Sequence, residues 1–382
     1  MRIPRVCLAG ALACMTIGFG CRRDEPAAEP MNMPAAESPS ASVGLSDDQK
    51  AAIQRMQTTG AGMELDGAGF PVEIDLASER VFADEELVRA ALMFPNLKRL
   101  RLAVSSVSTA TLAELASLTA LEELYLQDAA IDDAGLATLL RSMPNLRRLT
   151  LRRVQGVTDE ALNAVAACKN LEVAALIELN QLTGAGLQPL AGIPRLRSLD
   201  LRNCGRLAAE DFKRLAAFDD LVELKLAGPA VNDAVAEAIV DLPQVRSLTI
   251  EDAEISATFL ERLASDKATA ERLQTLALAR CFGVTDEALA SIDKFPNLET
   301  LSLRDIMASG EFLARLSEAG KGPLALKTLI ATNTFLDDGA VEHLPKLTPK
   351  LERLDLRGNP GITDQSRSAF AKLKHLKDLE PH

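Results

Sequence analysis

Few residues in this chain are suited to chemistry, and their spacing limits what that chemistry could be. The three histidines, His343, His375 and His382, lie far from any cysteine or serine in a nucleophile pattern and lack metal-ligand spacing. No glycine loop of phosphate-cradling type is present. Acidic pairs recur at Asp132-Asp133, Asp159-Glu160, Asp286-Glu287 and Asp337-Asp338. Paired carboxylates are calcium ligands elsewhere, but each pair here opens a helix-like run, where negative charge complements the helix dipole. Six cysteines are present: Cys7, Cys14, Cys21, Cys168, Cys204 and Cys281. The one tyrosine, Tyr125, sits among arginines, and Tyr and Arg are the side chains that dominate protein interfaces. Catalysis, a cofactor and a small-molecule substrate are therefore not expected; a binding surface is.

The elements that must position these residues repeat. Leu273 to Asn297 reads as a short strand, with Leu276 and Leu278 on one face by a period of two. Thr285, Asp286 and Glu287 suit a helix start. Ala288, Leu289, Ile292 and Phe295 then recur at helical spacing, and Pro296 and Asn297 end the unit. L-x-x-L-x-L-like strings begin at Leu97, Leu121, Leu146, Leu171, Leu196, Leu221, Val245, Leu273, Leu298, Leu326, Leu351 and Leu376. The steps between them are 24, 25, 25, 25, 25, 24, 28, 25, 28, 25 and 25 residues. One strand and one helix cannot bury their apolar faces alone, so the units must stack into one continuous core.

This pattern resembles the leucine-rich-repeat family over roughly residues 71–380. Val157-Thr158-Asp159, Val284-Thr285-Asp286 and Ile362-Thr363-Asp364 look like the helix opening of its cysteine-containing subtype, with Ile131-Asp132-Asp133 and Val231-Asn232-Asp233 as looser copies. Bacterial leucine-rich-repeat lipoproteins look similar over the whole chain. The resemblance implies an α/β leucine-rich-repeat solenoid: a curved horseshoe with parallel strands on the concave face and helices on the convex face. The family places Asn or Cys three residues after the last strand leucine. That column here reads Ser105, Ala129, Val154, Leu179, Cys204, Pro229, Ala253, Cys281, Ile306, Thr334 and Asn359. With no asparagine ladder, apolar packing should hold the turn. The two longer units, around Ser265–Ala270 and Glu318–Pro323, are expected to carry longer loops. Cys204 and Cys281 are three repeats apart, too far for a disulfide at ~4.8 Å per strand. They and Cys168 read as small apolar core residues.

The chain start has a different character. Arg2 and Arg5 precede an apolar run from Val6 to Gly20 that ends at Cys21. This reads as an export signal over residues 1–20. The run is short for a membrane span, which needs ~20 residues. The Gly20-Cys21 junction resembles a bacterial lipoprotein cleavage site, making Cys21 the lipid anchor; ordinary cleavage, for instance near Ala13, would instead give a free secreted protein. Residues 21–44 are rich in Pro, Ala, Glu and Ser, the composition of a disordered tether. Residues 45–96 are expected to form an N-terminal cap, helix plus hairpin, with a first degenerate repeat. Residues 97–382 form an array of about twelve units.

On the strand face, residues between the leucines stack in columns. Lys98, Glu122, Arg147, Glu172 and Arg197 alternate in sign, as do Arg99, Glu123 and Arg148, so these charges can neutralise one another across strands. Arg101, Tyr125, Arg152, Ile177 and Arg202 fall outside that alternation, with no acid in the column of Arg152 and Arg202. They are the candidate protein-binding residues of the concave face. Net charge is −12 and aromatic residues are 3%, a poor composition for nucleic-acid binding. The expected function is a monomeric, non-enzymatic scaffold of the cell envelope, binding another protein and held to a membrane by Cys21. A structural or adhesive envelope protein without a specific groove is the other reading. Eukaryotic relatives of the subtype serve as substrate receptors of ubiquitin ligases, but nothing N-terminal here resembles the adaptor-binding domain of that role.

Overall fold

The computed structural model of the protein describes residues 44–78, 81 and 83–380. The expected signal, the tether up to residue 43, the lipid-anchor candidate Cys21 and Pro381 lie outside the described residues. Among the described residues, fourteen strands form one open sheet whose spatial order is the sequence order. Strand β1 (Gly62–Leu65) pairs antiparallel with β2 (Pro71–Leu76), and every later pair is parallel. The series continues with β3 (Arg99–Ala103), β4 (Glu123–Gln127), β5 (Arg148–Arg152), β6 (Val173–Ile177), β7 (Ser198–Asp200) and β8 (Glu223–Ala227). It ends with β9 (Ser247–Glu251), β10 (Thr275–Ala279), β11 (Thr300–Arg304), β12 (Thr328–Thr332), β13 (Arg353–Asp355) and β14 (Asp378–Glu380). A helix or helical turn follows nearly every strand and lies on the opposite side of the core from the strand face.

The register explains the leucine period. Leu276 stands between Leu248 and Leu301, and Leu278 between Ile250 and Leu303. Apolar residue meets apolar residue along the sheet; these residues are buried from β2 to β13, and Met63 of β1 and Leu379 of β14 at the two edges are partly buried. Residues of the helices and of the turns that end them close the other side, including the buried Phe259 and Phe312 in helices and Phe94 and Phe295 just past helix ends. One hydrophobic cluster runs from the N-terminal helix to Leu373. Strands pack ~4.8 Å apart whereas helices need ~10 Å, so the stack must bend with its strands inside. The units are also stitched outside the sheet. Asn170 and Asn297, just before the first leucine of their strings, donate side-chain hydrogen bonds to Pro144 O at 3.0 Å and Glu271 O at 2.6 Å in the preceding unit.

The turn after each strand is packed apolar, with two shifts from expectation. Val104, not Ser105, is the buried member in its unit, because that unit is one residue short. Pro229 is exposed for the same reason. Ala129, Val154, Leu179, Ala253 and Ile306 are buried. Cys204 donates its thiol to Leu176 O at 3.0 Å, and Cys281 to Ala279 O at 3.3 Å. Asn359, the one asparagine in this column, donates to Ala331 O at 2.6 Å and Leu356 O at 2.7 Å and accepts from Thr334. The residue just before this column is left-handed in unit after unit: Asp128, Arg153, Glu178, Asn203, Asp252, Arg280, Asp305 and Asn333 have φ between 51° and 57°. Asn and Asp adopt this region at little cost; Arg and Glu do not.

The first long unit departs from expectation. Ser265–Ala270 is not a loop: a second helix, Lys267–Arg272, is capped there by Asp266, which accepts from Thr269 N at 2.8 Å. The second long unit turns through Gly320 and Gly322, both at positive φ. At the N-terminal end, Ser46 and Gln49 form a reciprocal capping box on the helix Asp47–Thr58. That helix buries Ala52, Ile53 and Met56, and Gln49 donates to Met93 O at 3.1 Å. Ile74 and Leu76 of β2 occupy the same core rows as the later leucines.

Candidate functional site

The strand face carries the candidate residues in two adjacent columns. One holds Asp75, Arg101, Tyr125, Thr150, Ala175 and Asp200 in register. The next holds Gln127, Arg152 and Ile177, with Arg202 following β7. Period-two alternation puts all of them opposite the buried leucines. Arg101 lies over the Tyr125 ring, its guanidinium carbon 4.2 Å from the centroid, a cation–π contact. The Tyr125 hydroxyl donates to Gln127 Oε1 at 2.6 Å. Tyr125 is half-buried rather than fully open to solvent, and so is Ile177.

None of the three arginines stands unmatched. Arg101 donates to Asp75 Oδ2 at 3.1 Å. Arg152 pairs with Glu178 at 3.0 Å. Arg202 holds Asp200 at 2.8 Å and Glu251 at 3.2 Å. The expectation that the column of Arg152 and Arg202 lacks an acid is thus corrected: Glu251 is in that column, two strands on, across the small Ala227. Glu178 escaped the sequence reading because it is a left-handed residue beyond the strand, outside the period-two pattern.

The pairs join into two networks. Tyr125 binds Gln127, whose amide donates to Asp128 at 3.1 Å; Asp128 takes Arg153 at 2.8 and 2.9 Å; Arg153 and Arg152 both reach Glu178. Arg202 and Arg280 share Glu251, and Arg280 also holds Asp252 at 2.6 Å. In the first network, with Arg101 and Asp75, three arginines meet three acids, and the charges cancel. The Arg153 hydrogen bonds hold the Asp128 carboxyl below the usual carboxylate range, and Arg280 does the same for Asp252. The surface is therefore a fixed, near-neutral relief and not an anion trap. The alternating ladder is also present: Lys98 with Glu122 at 3.0 Å, Arg147 with Glu172 at 3.2 Å, Arg148 with Glu123 at 3.3 Å.

The recurring acids at the helix starts have a different job from a calcium site. Asp133 accepts from Thr158 N and Oγ1 of the next unit, both at 2.7 Å. Asp159 does the same to Thr183, Asp233 to Ser256, Asp286 to Ser309 and Asp338 to Thr363. Each hydroxyl then accepts a backbone N–H from its own helix, as Thr158 does from Glu160 at 3.3 Å. The V-T-D phrase is thus a clasp between units as well as a cap. No group of three or more potential metal ligands occurs among the described residues. Burial raises the thiols of Cys168 and Cys204 to about 11.

Comparison with known proteins agrees with the repeat reading. A model of the LRR repeats of FBD-associated F-box protein At5g56370 matches residues 72–160, and a Leucine Rich repeat model matches residues 349–371. F-box/LRR-repeat protein 23 of Arabidopsis thaliana is 34% identical over 118 residues, which is 28% of this chain and 25% of that protein. The chain covers only a quarter to a third of the length of the curated relatives it matches. Among solved structures, the Rad7 and Elc1 complex in yeast aligns with a TM-score of 0.49 at 17% identity, covering 74% of this chain and 81% of that one. An internalin from Listeria monocytogenes aligns with a TM-score of 0.43 at 20% identity, covering 87% and 94%.

Proposed function

Taking the chain as a leucine-rich-repeat solenoid, an open sheet with helices on its far side, we propose that its strand face binds another protein through Tyr125 and the side chains around it. The observation that carries this reading is the clamped ring. Tyr125 is held by Arg101 on its face and Gln127 at its hydroxyl, yet remains part-exposed. A large amphipathic side chain fixed before binding loses little entropy on association. Arg152, Ile177 and Arg202 extend the same surface across the neighbouring strands. Shape, apolar contact and hydrogen bonds would dominate recognition, because the charges are already matched.

The second half of the proposal is location. The apolar run ending at Cys21 supports an exported protein of the bacterial cell envelope, lipidated at Cys21 and tethered by residues 22–44. Cys21→Ser should shift the protein from the membrane to the soluble fraction and abolish lipid labelling. Persistence of the label, or a soluble wild type, removes the anchor from the reading. The binding half is tested by capture from detergent-solubilised envelopes with the full chain and with Tyr125→Ala. A stoichiometric protein held by the first and lost by the second supports a specific surface. Capture of peptidoglycan or of nothing favours the structural or adhesive reading.

A further inference from the structure

A column of the fold far from Tyr125 changes character abruptly. The exposed position directly after the buried turn residue is Ala130, Gln155, Asn180, Gly205, Pro229 and Glu254 in six successive units. It then becomes Phe282, Met307 and Phe335 in three consecutive units, followed by Pro360. These three side chains are 68%, 50% and 61% exposed, in a chain with 12 phenylalanines and no tryptophan. They form an apolar stripe along the edge where strands give way to helices. The core does not require them; small or polar residues earlier in the column serve the same turn.

A cation lies at the strand end of the stripe's middle unit, three residues before Met307. Six arginines lie at the ends of the strands: Arg152, Arg153, Arg202, Arg280, Arg304 and Arg357. Five hold a carboxylate. Arg304, in the unit of Met307, is exposed; its carbonyl accepts from Arg280 N at 2.9 Å, but its guanidinium makes no hydrogen bond or ion pair among the described residues. It borders a cavity of about 250 Å³ on the strand face, lined by Ala277, Ala279, Ser302, Thr249 and Lys225 and by Arg202 and Glu251, which pair with each other, so Arg304 is the cation of the lining left without a carboxylate. Ala277 and Ala279 are shorter than the lysine and glutamate at the same register in β8 and β9, which leaves the hollow.

We infer that this edge docks a short segment of another protein carrying apolar side chains beside an aspartate or glutamate. The apolar side chains would cover Phe282, Met307 and Phe335, and the carboxylate would reach Arg304 over the hollow. Charge complementarity favours this occupant, because an unmatched guanidinium selects an acid. Size favours it too. Three units span only ~10 Å of sheet, about three extended residues, well short of the ~800 Å² per partner of a stable subunit interface. A peptide or loop fits that span; a second copy of the chain would need more. The inference does not depend on Tyr125 itself, although Arg202 of the strand face borders the same hollow.

The test pans a random dodecapeptide display library against the full chain and measures selected synthetic peptides by fluorescence anisotropy. The expected peptides pair aromatic or aliphatic residues with an acid. Met307→Ser and Phe335→Ser should weaken them at least tenfold, with melting unchanged, whereas Tyr125→Ala should leave them unaffected. Arg304→Glu should reject those peptides and accept versions with the acid changed to lysine, a reversal that mere destabilisation would not produce. Failure to enrich any peptide, or peptides indifferent to both Met307→Ser and Arg304→Glu, overturns the inference. So does concentration-dependent self-association in sedimentation that Met307→Ser abolishes, which would make the edge a contact between copies.

Discussion

Asp128 and Arg153, left-handed residues in consecutive units, meet through two hydrogen bonds of 2.8 and 2.9 Å. Asp tolerates that backbone region; Arg with its Cβ costs roughly 1 kcal/mol or more there. The ion pair offsets the strain and links one turn to the next. Arg153→Gly loses the pair but relaxes the backbone, and Arg153→Ala loses the pair and keeps the strain. The alanine variant should therefore be the less stable by ~1 kcal/mol. Chemical denaturation of both checks this, and equal stabilities would show that the left-handed turn imposes no cost.

The clasp between units predicts a larger effect. Asp286 accepts from Ser309 N and Oγ at 2.8 Å, from Gly310 N at 2.9 Å and from Phe312 N at 3.1 Å. Asp286→Ala leaves three backbone donors of the next helix start unmatched, a loss of ~2 kcal/mol or more. Because stability in a stacked array includes the interface terms between neighbours, the variant should also unfold less cooperatively. A lower denaturant midpoint with a shallower slope is expected. An unchanged midpoint would mean that water replaces the carboxylate without loss.

Stability should fall at both ends of the pH scale. The carboxyls of Asp128, Asp252, Asp338 and Asp355 are lowered by hydrogen bonds from Arg153, Arg280, Ser366 and Arg357 respectively. A group lowered in the folded state stabilises above its unfolded pKa, about 3.9 for Asp, and that contribution disappears as pH falls through the lower folded value. Melting temperature should therefore drop below about pH 4. Burial raises Cys168 and Cys204 to about 11. A raised group stabilises below its unfolded pKa, about 8.5 for a thiol, and the contribution is lost as pH rises towards the folded value. The alkaline decline should shrink in the double variant Cys168→Ala, Cys204→Ala. A melting profile with the same alkaline slope in that variant assigns the loss elsewhere.

The stack was legible in the sequence because its leucines face one another in register; Leu276 between Leu248 and Leu301 is the period made physical. The pairing of Lys98 with Glu122 was legible for the same reason. The Arg152–Glu178 pair was not. Glu178 belongs to a left-handed turn, and its side chain returns to the strand face from outside the alternation. The helix Lys267–Arg272 was missed because three added residues look like a loop until Asp266 caps them. The carboxylates of Asp133, Asp159 and Asp286 read as local caps; their bonds to the next unit span 23 to 25 residues. The Phe282, Met307 and Phe335 stripe escaped because sequence shows an apolar residue without showing that the core is already full.

Glu122 and Tyr125 separate structural charge from binding surface. Glu122 pairs with Lys98, and its backbone N–H donates to Lys98 O in the adjoining unit. Glu122→Lys places a third cation between Lys98 and Arg147. Both partners of the native pair are more than a third exposed, so the cost should stay near or below ~1 kcal/mol and shrink with added salt. Tyr125→Ala removes a part-exposed ring, its contact with Arg101 and its bond to Gln127, and should cost ~1 kcal/mol. If the strand face binds through this ring, the same change should weaken the captured partner by ~2 kcal/mol or more, while Glu122→Lys changes binding little. Thermal melts and affinity measurements on the two variants give four numbers. Equal affinities for wild type and Tyr125→Ala would leave the tyrosine as a structural clip between Arg101 and Gln127 and move the binding surface elsewhere.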